Sequence, residues 1–257
     1  KLVANGGLVA MAGALAEHFG AIEGASIDAN KGAYSSAWMI IFAVIAAVMV
    51  LLGLYHIKML PSTQVPATGK KTTSEIMQDL VNVIGNFFTK KHIVYYIFFI
   101  ILYRLAEGFI MKVAPLFLRA SREVGGLGLS LTEIGTLNGV FGSAAFVIGS
   151  LLGGIFVARY GLKKTLFMLC CVFNLPFLAY TFLAVVQPTS LYLIGTCITM
   201  EYFGYGFGFV GLTLFMMQQI APGKHQMSHY AFASGIMNLG VMLPGMISGY
   251  FSDLLGY

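Results

Sequence analysis

The sequence has little charge and little cysteine for its length. Of its 257 residues, 10% are Asp, Glu, Lys or Arg, 58% are hydrophobic, and 3 are cysteine. A soluble domain carries about 25% charged residues, so this chain has too few charges to cover a surface that faces water. Two adjacent cysteines and a distant third form neither a disulfide framework nor a metal-ligand set. The composition excludes an ordinary cytosolic enzyme, a disordered chain and a secreted disulfide scaffold, and predicts an all-α polytopic membrane protein.

Catalytic and nucleotide-binding motifs are also missing. The chain contains no G-x-S-x-G, H-E-x-x-H, C-x-x-C or G-x-x-x-x-G-K-[ST] sequence. This disfavours an enzyme, and it disfavours ATP hydrolysis because the last motif is the phosphate loop of ATPases. We expect no cofactor and no metal, with energy drawn from an ion gradient. The net charge is +5, but the basic residues lie beside apolar runs and fit a membrane surface, so no nucleic-acid partner is expected.

Six apolar stretches are long enough to cross the ~30 Å hydrocarbon core, which takes about 20 helical residues. The Asn-Leu-Pro sequence at Asn174–Pro176 predicts a break in the fourth, and the small residues of Gly149–Gly154 predict close helix packing. Ser130 and Glu133 form a capping box where the third begins. The chain starts without Met or a signal peptide, and we interpret both ends as cuts in a longer protein. The six predicted spans are Tyr34–Ile57, Ile93–Leu118, Ile134–Ala158, Leu166–Val186, Leu191–Ile220 and Tyr230–Phe251.

The connector between the first and second of these spans has its own pattern. Pro61–Lys71 is a polar linker, and a capping box of Thr72 and Glu75 follows it. The next apolar residues are spaced as one face of a helix, namely Ile76, Leu80, Val83, Ile84 and Phe87. We predict a short amphipathic helix on the membrane surface. A plain water-exposed connector helix is the alternative.

Basic residues are distributed unequally between alternate loops, which predicts the orientation. The poorer set contains Lys31, Arg119 and Arg122, and the positive-inside rule places the richer set in the cytoplasm. The connector is then cytoplasmic. The richer set contains Lys58, Lys70, Lys71, Lys90, Lys91, Arg159, Lys163, Lys164 and Lys224.

Two short sequences of equal spacing predict an internal repeat. Gly13-x-x-x-Glu17-x-x-Gly20 is matched by Gly249-x-x-x-Asp253-x-x-Gly256, and a parallel duplication of a six-helix unit produces such a pair. We therefore predict four parts. They are the end of a helix of the N-terminal half (1–20), an outer loop and the last helix of that half (21–57), a cytoplasmic connector (58–91), and five helices of the C-terminal half (92–257).

The cytoplasmic loop GGIFVARYGLKK, Gly153–Lys164, carries the first resemblance to a known family. It resembles the Gly-x-x-x-Asp-Arg-x-Gly-Arg-Lys loop of the major facilitator superfamily. Ala158 replaces the Asp and Leu162 the first basic residue, which puts a full charge relay in doubt. Gly154 is expected to allow close packing and Gly161 a tight turn. The matching positions are Gly154, Arg159, Gly161 and Lys163.

Longer segments resemble the AmpG-type muropeptide permease branch of that superfamily. They include YRLAEGFIMKVAPLFL (Tyr103–Leu118), LSLTEIGTLNGVFG (Leu129–Gly142), YFGYGFGFVGLTLFMM (Tyr202–Met217) and HYAFASGIMNLG (His229–Gly240). The resemblance implies the major facilitator fold from the end of span five through span eleven of twelve. It also implies proton-coupled import of cell-wall sugar-peptides across a bacterial inner membrane. A carrier of another sugar or of an acyl-coenzyme, and a membrane sensor without transport, are the alternatives.

Three charged residues fall near the middle of predicted spans. Arg104 and Glu107 are three residues apart and lie about 16 Å into their span, and Glu201 is about as deep in its own. Charges at this depth face a partner or an aqueous cavity. By resemblance both spans border the central cavity, so the three are expected to converge. Arg104 would bind an anionic substrate group, and Glu107 or Glu201 would take up a proton. A structural ion pair and a neutral core acid are the alternatives.

Four further residues are candidates for substrate binding. The rings of Tyr202 and Tyr205 are suited to stacking on sugar rings, and Asn138 and Asn238 offer amides within predicted spans. Helix packing is the alternative for the tyrosines, and hydrogen bonds between helices are the alternative for the asparagines. The expected partners are a small-molecule substrate, protons and the lipid bilayer; the sequence gives no oligomeric state.

Overall fold

A computed structural model of the chain describes residues 2–22, 28–59 and 72–255. The linker predicted at Pro61–Lys71 and Gly256 of the predicted repeat lie outside the described residues. Within them the regular secondary structure is helical, without a strand, and turns and irregular segments connect the helices. The helices are α1 (Leu2–His18), α2 (Lys31–Met59), α3 (Thr73–Phe88), α4 (Ile93–Tyr103), α5 (Leu105–Arg119), α6 (Leu131–Thr136), α7 (Ser143–Tyr160), α8 (Leu162–Asn174), α9 (Leu178–Val186), α10 (Leu191–Phe215) and α11 (Gln226–Leu255).

Five helical runs are long and apolar enough to cross a membrane, and they confirm five of the six predicted spans. They are Lys31–Met59, Ile93–Arg119, Leu131–Tyr160, Leu162–Val186 and Gln226–Phe251. The sixth prediction, Leu191–Ile220, is helical along its length but is not among them. Its glycines, tyrosines and Glu201 lower its mean hydropathy. At 1.5 Å per residue, the 25 residues of α10 still extend about 37 Å, enough for the hydrocarbon core.

The lower hydropathy of α10 agrees with its position, because α10 packs between α7 and α8 and is partly shielded from lipid. The contact with α7 depends on glycine, as the small-residue stretch predicts. A Cβ built on Gly153 would lie 2.5 Å from the Phe207 carbonyl oxygen, so only glycine permits this approach. Gly154 was expected to serve this role, and within the described part of the chain that prediction is wrong, since a Cβ there meets nothing within 4 Å.

These two adjacent glycines give a matched pair for a test of the packing. We expect Gly153→Val to reduce the free energy of unfolding by about 1–3 kcal/mol, because the helices must separate to admit the side chain. Gly154→Val introduces the same side chain into open space and is the control. Thermal unfolding in detergent, together with the amount inserted in the membrane, measures both. A larger loss from Gly154→Val would restore the sequence-based prediction.

Three predicted spans are interrupted. The run Leu175–Phe177 forms a 3-10 turn between α8 and α9, which confirms the break predicted at Asn174–Pro176. A π-helical segment, Leu137–Gly142, joins α6 to α7, and Arg104 separates α4 from α5. The sequence did not predict these last two. π-helical segments inside helices occur frequently at functional sites.

The connector helix α3 is present with the predicted capping box, in which the Thr72 backbone N–H donates to Glu75 Oε2 at 2.8 Å. Its C-terminal end is fixed to the bundle by Phe87, which is 1% exposed and packs against His229. Lys90 Nζ donates to the carbonyl oxygens of Ile220 and Pro222, and partial burial lowers the pKa of this ammonium from its ordinary value. Most of the apolar face remains uncovered, with Ile76 57% exposed. A location on the membrane surface stays a prediction.

Candidate functional site

The site is built where the second predicted span breaks. α4 ends at Tyr103, Arg104 has φ −107° and ψ 5°, and α5 begins at Leu105. The backbone N–H of Arg104 donates to the Ile101 carbonyl at 3.3 Å, which tightens the last turn of α4. The break therefore places Arg104 between two helix ends, inside the bundle. The whole residue is 6% exposed there.

Arg104 and Glu107 form the ion pair that their spacing predicts. Arg104 Nε donates to Glu107 Oε2 at 2.6 Å, and Arg104 Nη2 donates to Glu107 Oε1. Glu107 is 3% exposed, so the pair is removed from solvent on both sides. The guanidinium also lies 5.4 Å from the centroid of the Phe209 ring, a cation–π distance. This bidentate arrangement keeps two charges in an apolar interior by neutralising each with the other.

Glu201 is the second acidic group of the site. It lies on α10, is 8% exposed, and has no hydrogen-bond partner for its carboxylate among the described residues. The Glu201 carboxyl group interacts electrostatically with that of Glu107. It also interacts with the phenols of Tyr180 and Tyr202. The three charged residues expected to converge are thus brought to one buried region. A carboxylate that is buried beside another and has no cation of its own is suited to binding a proton.

Tyr205 connects the charges to the aromatic core. Its phenol interacts electrostatically with Arg104, Glu107 and Glu201. Its ring packs against Phe146 and Phe173, with centroid distances of 5.2 and 5.4 Å. Because the ring contacts other aromatic side chains, the phenolic end is the part of Tyr205 that meets the charged groups.

The remaining three candidates for substrate binding differ in position. The Tyr202 ring lies over Gly142, where an added Cβ would be 3.0 Å from the ring, and so contacts the π-helical segment. Asn138 lies in that segment, and its Oδ1 is buried without a hydrogen-bond partner in the described part of the chain. Asn238 is exposed on α11, and no contact among residues with described side chains joins it to the charged group. Tyr202 and Asn138 are therefore placed near the site region, whereas Asn238 is not.

The loop Gly153–Lys164, which the sequence predicts to be cytoplasmic, has the turn that its sequence predicts. Gly161 ends α7 with φ 79° and ψ 144°, a conformation that other residues rarely adopt. The Arg159 guanidinium lies 5.5 Å from the centroid of the Tyr160 ring, and Lys163 is exposed in the first turn of α8. Gly154, as noted above, makes no close contact. The turn geometry of the loop is confirmed, and its conformational role stays a prediction.

Several residues of the site carried no assigned role in the sequence. Phe209 lies under the Arg104 guanidinium, Tyr180 interacts with Glu201, and Tyr103 donates from its hydroxyl to the Gly208 carbonyl at 2.7 Å. Asn174 Nδ2 donates to the Tyr103 carbonyl at 3.3 Å. For the three aromatic residues the only signal was an aromatic side chain inside an apolar run, whereas Asn174 was predicted as part of the break at Asn174–Pro176. That signal does not show which helices face each other.

Comparison with known proteins gives matches that agree with this architecture. The family model of the Major Facilitator Superfamily matches residues 4–249. The chain is 24% identical over 180 residues to the "Anhydromuropeptide permease" of Escherichia coli (strain K12), covering 70% of this chain and 35% of the relative. It is 23% identical over 203 residues to the "Putative transporter AmpG 1" of Rickettsia conorii (strain ATCC VR-613 / Malish 7), covering 79% and 46%.

These relatives are considerably longer than the matched region. The chain covers 35% of the Escherichia coli permease and 46% of the Rickettsia protein. The family model, in contrast, matches almost the whole chain, and the helical bundle with apolar runs of membrane-spanning length is the architecture that such a match requires. The chain is a multi-pass membrane protein and belongs to the major facilitator superfamily.

Proposed function

We propose that this chain is part of a proton-coupled secondary transporter that imports anhydro-sugar peptides of the cell wall across a bacterial inner membrane. The observation that carries the proposal is the buried ion pair of Arg104 and Glu107 with a second acid, Glu201, beside it. Buried ionisable groups of transporters mark substrate and proton pathways. Similarity to the "Anhydromuropeptide permease" of Escherichia coli supports the substrate class.

The charges suggest how binding and proton uptake are linked. Arg104 is always protonated, so its choice of partner decides the charge balance of the site. A substrate carboxylate that pairs with Arg104 releases Glu107 from the guanidinium. Glu107 and Glu201 then repel each other in an apolar environment, and a proton bound by one of them removes the repulsion. With one proton bound, the loaded site carries the same net charge as the empty site, and this is the state in which the carrier changes the side to which it opens.

We place this chain from the end of span five through span eleven of a twelve-span carrier. In that arrangement α1 belongs to the N-terminal half, and α6 with the π-helical segment belongs to the C-terminal half. α1 packs directly on α6, and Thr132 Oγ1 donates to Glu17 Oε1 at 2.8 Å across the contact. The two halves therefore touch on the outer side, and rocking of one against the other opens this contact.

Uptake by right-side-out membrane vesicles that contain the full-length protein tests the proposal. We expect labelled anhydro-muropeptide to accumulate when the outside is acidic, and a proton uncoupler to abolish the accumulation. Vesicles without the protein are the control. Preference for a neutral sugar or an acyl-coenzyme would contradict the substrate class. Accumulation that the uncoupler leaves unchanged would contradict proton coupling. Binding without accumulation would identify a sensor instead of a carrier.

A further inference from the structure

The backbone that carries Arg104 is joined to two other helices by side-chain hydrogen bonds, one from Asn174 of α8 and one from Tyr103 of α4 to α10. Arg104 is outside both α4 and α5, so its direction does not follow from a continuous helix. Backbone groups at a helix break inside a membrane must find partners within the protein, because lipid offers none. The residues that supply these partners therefore fix the direction in which the guanidinium points.

Asn174 is the first of these residues. Its Nδ2 donates to the carbonyl oxygen of Tyr103 at 3.3 Å and to that of Cys170 at 3.0 Å. The second bond lies within α8 and orients the amide, and the first extends to the last residue of α4. The 3-10 turn that follows Asn174 fixes its position, because Pro176 of this turn packs against Gly204 of α10. A Cβ on Gly204 would lie 2.6 Å from Pro176 Cγ, so the contact requires glycine. The Asn174 amide thus connects the helix break at Arg104 with the 3-10 turn between α8 and α9.

Tyr103 is the second. It is 2% exposed, its ring packs 5.0 Å from that of Phe173, and its hydroxyl donates to the Gly208 carbonyl of α10 at 2.7 Å. Gly208 immediately precedes Phe209, whose ring lies under the Arg104 guanidinium. The residue before Arg104 is thereby fixed to the same turn of α10 that contacts the Arg104 side chain.

We infer that Asn174 and Tyr103 are positioning residues for Arg104. Neither makes a hydrogen bond to the guanidinium among the bonds of the described residues; both hold the backbone turn that presents it. The inference rests on the proposed function in one respect, namely that Arg104 binds the anionic group of the substrate. Positioning residues act through Arg104, so their removal weakens binding only while Arg104 is able to make its bidentate contact.

A double-mutant cycle in the purified full-length protein tests this, with equilibrium binding of labelled anhydro-muropeptide as the readout. Asn174→Leu removes the amide at similar volume, and Tyr103→Phe removes only the hydroxyl. We expect each to weaken binding about tenfold in the wild-type background, and less than about twofold in an Arg104→Lys background. The same tenfold loss in both backgrounds would show a purely structural role and overturn the inference. Tyr95→Phe, at a 74% exposed position of the same helix, is the control and should bind normally.

Hydrogen exchange provides a readout that needs no substrate. We expect Asn174→Leu to increase exchange of the backbone amides in the segment 101–108, while Tyr95→Phe leaves them unchanged. Unchanged exchange in Asn174→Leu would overturn the positioning role whatever the protein transports. If exchange rises but the wild-type protein does not bind anhydro-muropeptide, the proposed function fails and the positioning of Arg104 stands. The two failures are therefore distinguishable.

Discussion

Arg104→Ala is expected to reduce strongly the uptake of anhydro-muropeptide that we propose for the full-length protein. The substitution removes the cation of the buried site and leaves Glu107, at 3% exposure, without its partner. Truncating one member of a buried charge pair costs about 2–5 kcal/mol, so we expect uptake to fall at least about 30-fold. Initial uptake rates, normalised to the amount of protein in the membrane, measure the effect. Lys112→Met on α5 is the control, because Lys112 is exposed.

A second variant separates a functional role of Arg104 from a merely structural one. An unpaired Glu107 destabilises the fold, so loss of uptake in Arg104→Ala alone would not distinguish the two. Replacing both members, Arg104→Met with Glu107→Leu, leaves no buried charge in the pair, and such replacements are often neutral or stabilising. We expect this double variant to fold and insert normally and still not transport. Wild-type uptake by the double variant would show that the pair only joins helices.

The sequence predicts the local parts of this site better than its assembly. Arg104 and Glu107 are three residues apart, and the side chains of this pair meet although the helix breaks at Arg104. The break itself has no proline or glycine to announce it, since Arg104 follows an unbroken apolar run. The Tyr103 carbonyl beside the break accepts a hydrogen bond from Asn174, which comes from another helix. Contacts between distant segments of this kind are not contained in a local pattern.

Gly153 and Gly154, adjacent in α7, show the same limit of local sequence patterns. The sequence indicates that this helix has a small-residue face, and the structure confirms it at Gly153. Successive residues differ by about 100° around a helix, so one of two neighbours faces the partner and the other does not. The family loop pattern favoured Gly154, whereas the packing of α10 selects Gly153. Tertiary contacts determine the rotation of α7 about its own axis, and the local sequence does not specify this rotation.

The position of α10 explains why its composition departs from that of the other spans. A helix between two neighbours contacts protein on two sides, so it tolerates an acid and several glycines that a lipid-facing helix excludes. The same shielding places Glu201 and Tyr205 beside the pair on α5 and its preceding turn. The low hydropathy of α10 and the location of the candidate site therefore have one physical origin.

Glu201→Gln removes the dependence of uptake on external pH. Glutamine has nearly the same volume as glutamate and binds no proton at any pH of the assay, so a carrier that needs a proton on Glu201 loses its response to the gradient. We expect net accumulation to fall to the uncoupled level, while exchange of labelled for unlabelled substrate across the membrane continues, because Arg104 and Glu107 are intact. Uptake measured between pH 5.5 and 8, with and without an uncoupler, gives the profile.

Glu123→Gln is the matched control for this profile, since it makes the same change in an exposed acid outside the spans. Glu107→Gln is the informative comparison: it removes the anionic partner of Arg104, so we expect both net uptake and exchange to fall. An unchanged pH profile in Glu201→Gln would remove Glu201 from the proton path. If Glu107→Gln alone flattened the profile and kept exchange, the proton site would be Glu107. Glu107 and Glu201 interact in the same apolar interior. Comparing the pH profiles and exchange rates of the two Glu→Gln variants therefore decides which of the two acids carries the proton.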